Sequence, residues 1–104
     1  MTKVIVDPGA CGLICNVEVE KVDKYNVTIR LQSKCKQIQK LANEVKDMDF
    51  LEVCRVPFGQ NPLSQYAARC KCHPSCPIPC GIIKAVEGEL GMAVKKNVSL
   101  TYEE

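Results

Sequence analysis

Two stretches of strict alternation, Cys15 to Val22 and Val27 to Gln32, restrict this chain more than any other feature. In the first, Cys15, Val17, Val19 and Lys21 fall on one side and Asn16, Glu18, Glu20 and Val22 on the other. In the second, Val27, Ile29 and Leu31 oppose Thr28, Arg30 and Gln32. A period of two marks a half-buried strand, because successive side chains point to opposite faces of a sheet. Asp23-Lys24-Tyr25-Asn26 turns the chain between them. The two segments are therefore expected as an antiparallel hairpin with both apolar sides on one core.

The remaining elements follow from spacing. Lys3 to Val6 reads as a short strand stopped by Asp7-Pro8-Gly9. After the hairpin, Ser33 is placed as an N-cap. Cys35, Ile38, Leu41/Ala42 and Val45 then recur at helical spacing, with Lys and Gln on the far side. The near-continuous apolar run Phe50 to Val56 is expected as an interior strand, and 57–62 as a loop. Leu63 to Arg69 holds a helical turn or two. Pro77 and Pro79 suit the start of a helix whose stripe is Ile82/Ile83, Val86 and Leu90 and whose stop is Gly91. Asn97 to Tyr102 alternates again and reads as a closing strand. The expected fold is α+β, a two-layer sandwich with a mixed sheet and helices on one face, in the order β-β-β-α-β-(α)-α-β.

At 104 residues the chain fits a single α+β domain over 1–104 with a cysteine-rich loop at 70–80, large enough to fold without disulfide staples. Its 46 % hydrophobic and 25 % charged residues are ordinary globular values and exclude disordered, collagen-like and coiled-coil classes. The formal charge of +2 comes from basic and acidic residues mixed along the chain. No basic block suits nucleic acid or a lipid surface. With no Trp, and only Tyr25, Tyr66, Tyr102, Phe50 and Phe58, base stacking is poorly supplied as well. The first apolar run is too brief for a secretory segment or a membrane span, so a cytoplasmic, reducing location is expected. There the eight cysteines are better read as thiols or metal ligands than as a disulfide framework. The triplets Asn26-Val27-Thr28 and Asn97-Val98-Ser99 are then chance matches to a glycosylation signal.

Cys70-Lys71-Cys72-His73-Pro74-Ser75-Cys76-Pro77-Ile78-Pro79-Cys80 holds four cysteines and the only histidine in eleven residues. If the second hairpin strand ends at the upper rim of the sheet, its partner begins there, beside Cys11 and Cys15, and the first helix starts there with Cys35. The following strand, reached by a crossover, carries Cys54 to the same rim, and the loop 70–80 must return to it before the last helix descends. Helix N-termini at that rim favour thiolate over thiol. Thiolates and imidazole are ligands for zinc, and four thiolates also suit an iron–sulfur cluster. The expected metal ligands are Cys11, Cys35, Cys76 and Cys80, the last two reaching one point from four residues apart, with Cys72 or His73 as substitutes.

The spacing is neither haem attachment nor a pair of Cys-x-x-Cys knuckles. Metal binding stands first, reactive redox thiols second and purely structural cysteines third. Cys35 on its buried stripe could serve as a small hydrophobe, and Cys54 in its apolar run is expected in the core rather than as a ligand. Cys15 is evenly balanced. No Ser/His/Asp set, phosphate-binding glycine loop or paired catalytic carboxylates occur, so an enzyme is the weaker expectation.

Several segments carry a resemblance: Cys11-Gly12 opening a strand, Ser33-x-Cys35 opening a helix, Cys76-Pro77 followed by Gly81-Ile82-Ile83-Lys84-Ala85-Val86-Glu87, and Lys96-Asn97-Val98-Ser99 after Gly91. The chain resembles a family of small uncharacterised cysteine-bearing proteins from strictly anaerobic bacteria and archaea. The likeness covers nearly the whole length and is most specific from Cys76 to Ser99. It implies an anaerobic, cytosolic setting in which an oxygen-sensitive cluster survives. The family motif carries onto Cys11, Cys35 and Cys76 and brings no established activity. The functions that follow are a metal carrier, electron-transfer or accessory protein with an unknown protein partner, a thiol-disulfide or persulfide enzyme, or a structural module.

Overall fold

The alternation does produce a hairpin. The computed structural model describes residues 1–103, so Glu104, part of the single-domain reading, lies outside the described residues. β1 (Thr2–Val6), β2 (Cys15–Lys21) and β3 (Asn26–Ser33) lie side by side, followed by α1 (Lys36–Glu44), β4 (Asp47–Asp49), α2 (Phe50–Cys54), α3 (Pro62–Arg69) and α4 (Ile78–Glu89). The sheet order is β1-β2-β3-β4. One rung carries Val6, Cys15 and Ser33 across three strands, and another carries Thr2, Val19 and Ile29.

The β2–β3 turn is held by one carboxylate. Asp23 Oδ1 accepts from the N–H groups of Tyr25 and Asn26, both at 3.0 Å, and from the Asn26 side-chain amide at 2.9 Å. These bonds, the Tyr25 N–H first, hold its carboxyl below the usual range.

Cys15, Val17, Val19, Val27 and Ile29 point to one face, where they meet Ile38 and Leu41 of α1 and Ile82, Ala85 and Val86 of α4. The opposite face is polar, with Arg30 between Glu18 at 3.3 Å and Glu20 at 3.5 Å, and Lys3 3.9 Å from Glu18. These pairs are part-exposed and contribute little to stability. Helices therefore cover one face only, as an α+β two-layer fold requires.

α4 runs antiparallel to β1. At its upper end a Cβ on Gly81 would overlap the Val6 side chain, so only glycine permits this approach. At its lower end Glu89 accepts from Thr2 Oγ1 at 2.7 Å and from the Lys21 N–H at 2.9 Å. Those bonds tie the start of β1 and the end of β2 to the last turn of the helix. Buried Asn61 caps α3 through Ser64 N–H at 2.8 Å and donates its amide to the carbonyl of Val53 at 3.2 Å, joining α2 to α3.

Three local expectations are corrected. The sheet is wholly antiparallel rather than mixed. Phe50–Cys54 is a helix and not a strand, because Asp49 accepts from Leu51 N–H at 2.7 Å and opens a helical turn. The strand is instead polar Asp47–Asp49, paired with the lower end of β3, which leaves Cys54 far from the upper rim. Residues 97–102 form no strand; they extend beyond α4 with every side chain exposed.

Candidate functional site

The loop 7–14 joins the upper ends of β1 and β2, and it carries Cys11. Gly9 at φ 83° and Gly12 at φ 70° flank that cysteine, and Gly12 N–H closes the bend on the Gly9 carbonyl at 2.9 Å. Positive φ at both positions is why glycines bracket the thiol. Cys35 sits at the N-cap of α1, a second upper-rim position. Its N–H donates to Ser33 Oγ at 3.1 Å, and its Sγ donates to Gln37 Oε1 at 3.2 Å. Ser33 thus props the cysteine rather than capping the helix itself.

The third wall begins where α3 ends. Lys71 N–H bonds the Ala68 carbonyl and Cys72 N–H bonds that of Ala67, both at 3.0 Å, with Lys71 at φ 60°. This is a Schellman closure with lysine where glycine is usual. It places Cys70 and Cys72 on either side of the reversal. Cys76 N–H then bonds the His73 carbonyl at 3.0 Å, and α4 starts two residues later.

These three walls border an open cavity of about 250 Å³ whose lining includes Cys11, Cys35, Cys72, His73 and Cys76. Ile38 and Ile78 supply apolar lining, and Gln37 adds a carbonyl oxygen. A larger hollow of about 310 Å³ on the polar sheet face, between Glu18 and Arg30, contains no thiol. Five of the six residues expected as ligands thus line one cavity. Cys80 does not line the cavity. Helix α4 begins only at Ile78, so Cys76 lies ahead of it and the two sulfurs do not share a helical face; Cys80 is exposed on the first turn.

All eight cysteines carry free thiols. Burial pushes Cys72 up to about 11, reinforced by negative charge on Cys76, Cys70 and Cys35. Cys76 is raised by burial as well, against a lowering hydrogen bond from Ile78, with Cys35 and Cys11 adding to the rise. Cys15 rises to about 11 by burial, eased by the Gln32 backbone and reinforced by Cys76 and Cys35. Helix N-termini at this rim were expected to favour thiolate; at Cys76 desolvation and the neighbouring thiols outweigh the lowering bond from Ile78. Cys54 is separate, pushed up to about 12 by burial and by Glu87 near the lower end of α4.

The donor set is soft and sulfur-rich, which suits zinc or an iron–sulfur cluster better than calcium or magnesium. No group of three His, Cys, Asp or Glu among the described residues is already drawn up as a ligated ion requires. Gln37 was missed in the sequence, although its place two residues after Cys35 puts it in the first turn of the same helix.

A family model matches residues 2–102, nearly the whole chain. The protein belongs to a family of unknown function, DUF6951. No curated protein and no solved structure matches it. The matched residues include all three walls of the cavity and extend well beyond the cysteine loop. No helix among the described residues is long and apolar enough to cross a membrane.

Proposed function

We propose that this protein binds a thiophilic metal, zinc or an iron–sulfur cluster, through Cys11, Cys35, Cys72 and Cys76, with His73 at the edge of the same site. The observation that carries the reading is that five residues with sulfur or imidazole donors, from three separate chain segments, line one cavity. Cys80, outside that lining, is not in the set. The electrostatics support it further: burial first, and then the neighbouring thiols, raise Cys72 and Cys76, and a bound cation would offset that. A bound metal would supply either a structural tether between the walls or, as a cluster, one-electron chemistry. The protein's own contribution is to present the sulfurs on one cavity, orient Cys35 through Gln37 and Ser33, and give that cavity an apolar floor with Ile38 and Ile78. A carrier, electron-transfer or accessory role in an anaerobic cytoplasm, serving a protein partner, fits such a site.

A thiol-disulfide or persulfide enzyme needs an attacking thiolate with lowered pKa. The raised Cys76 argues against that residue as the attacking thiol.

Anaerobic purification with metal and sulfide analysis separates zinc from a cluster. Zinc titration of the metal-free, reduced protein at pH 7 should release about one proton for each coordinating thiol. Cys72→Ser and Cys76→Ser should each lower metal stoichiometry or affinity at least tenfold, while Cys80→Ser leaves both unchanged. Equal binding by the wild type and both of the first two variants would overturn the assignment.

A further inference from the structure

Two unsatisfied features of this chain match each other. β1 is an edge strand: β2 pairs with one side of it, and no described strand pairs with the other. Beyond α4 lies a segment with the pattern of a strand and nothing to pair with. Val98, Leu100 and Tyr102 alternate with Ser99 and Thr101, and those three apolar residues are 68, 95 and 100 % exposed. No proline or glycine interrupts residues 92–103. An edge with free backbone groups and a free β-patterned segment are the two halves of strand addition.

We propose that Asn97–Tyr102 of one copy adds as an antiparallel fifth strand to the outer edge of β1 in a second copy, with the exchange made reciprocally in a two-fold dimer. The alternation fixes a register. Val98 beside Val6, Leu100 beside Val4 and Tyr102 beside Thr2 put the tail's apolar set on the side that β1 turns toward α4, where Thr2 and Val6 are buried and Val4 is half-buried. In that register Thr101 faces Lys3 on the outer face, and Glu103 lies diagonally beside the same lysine, a charge-matched contact.

A chain's own edge does not offer the same pairing. Gly91 at φ 70° ends α4 at the Thr2 end of β1, and the Lys95 side chain still lies against Gly88 in the last turn of the helix. Val98 is three residues further on, a reach of at most about 11 Å. The five residues of β1 span about 14 Å from Thr2 to Val6, so the tail falls short of the Val6 end of its own strand. It could meet its own β1 only running parallel, the weaker pairing. A second copy presents the antiparallel edge without that restriction, and reciprocal donation closes the symmetry.

The test uses the full chain, reduced, at 1:1 isotopically labelled and unlabelled copies. Light scattering at micromolar to millimolar concentration should give a dimer, and filtered NMR should show intermolecular contacts between Leu100 and Val4. Amides of 97–102 and of β1 should exchange at least tenfold more slowly in the dimer than on dilution. Leu100→Glu should shift the protein to monomer and abolish that protection while leaving the α/β circular dichroism spectrum intact. A monomer at every concentration overturns the proposal, whether the tail is unprotected or protected against its own chain. So does a dimer that Leu100→Glu leaves intact.

Discussion

Gly81→Ala puts two local rules in opposition, so its sign is informative. In a helix interior the change should stabilise by about 1 kcal/mol, because alanine loses less backbone entropy on folding. Here the added methyl would occupy the space of the Val6 side chain. Val6 is only 9 % exposed and β-branched, so it has few rotamers to retreat into. Overpacking of that kind costs about 1–3 kcal/mol. Because the overlap is with a core methyl and not a flexible side-chain end, the upper half of that range applies, and about 1–2 kcal/mol of destabilisation remains after the propensity gain. For a domain of this size each kcal/mol moves Tm by about 4–8 °C, so thermal melts followed by circular dichroism should show a fall of roughly 5–15 °C. Val6→Ala vacates the contested space, and the double variant should be about 2–3 kcal/mol more stable than the two single losses sum to, because the clash is relieved and the propensity gain is kept. A rise in Tm for Gly81→Ala, or strict additivity in the cycle, would refute the claim that α4 rests on β1 at this point.

Glu89→Gln should cost about 1.5–3 kcal/mol, since the carboxylate takes bonds from Thr2 and Lys21 with its side chain only 10 % exposed; urea denaturation at pH 7 measures it. Burial works to raise this carboxyl, but the bonds from Thr2 and Lys21 and the amino terminus outweigh it and leave it lowered. Its contribution is therefore full above the unfolded carboxyl value of about 4.3 and lost as pH falls through the lower folded value, so wild type and variant should converge in acid. Lys71→Gly should raise stability by about 1 kcal/mol by relieving a left-handed lysine, again read by denaturation, and a loss would mean that the lysine side chain makes up for its backbone.

Much of the fold was legible because its elements have unmistakable periods. The hairpin followed from alternation, α1 from the stripe Ile38, Leu41 and Val45, and α4 from its prolines and Gly91. The run 50–56 failed because a short apolar stretch has no period to separate strand from helix, and the deciding bond comes from the Asp49 side chain just before it. β4 was hidden because its sequence, Asp-Met-Asp, is that of a turn; its place comes from pairing with β3 and from Thr28 Oγ1 donating to Asp47 at 3.2 Å. That Cys11, Cys35, Cys72, His73 and Cys76 line one cavity followed from which strand ends and helix starts share a rim. Cys54 and Cys80 departed from it for local reasons, one through the lower placement of β4 and the other through the late start of α4.

The walls of the thiol cavity are unequally braced. On one side Asn61 staples α2 to α3, the Lys71 reversal fixes Cys72, and the His73–Cys76 turn runs straight into a helix. On the other, Cys11 hangs between two glycines around which added side chains would meet nothing within 4 Å. A guest that drew the sulfurs together would therefore find room for adjustment on the Cys11 side, where space is open around both glycines, and little on the braced side.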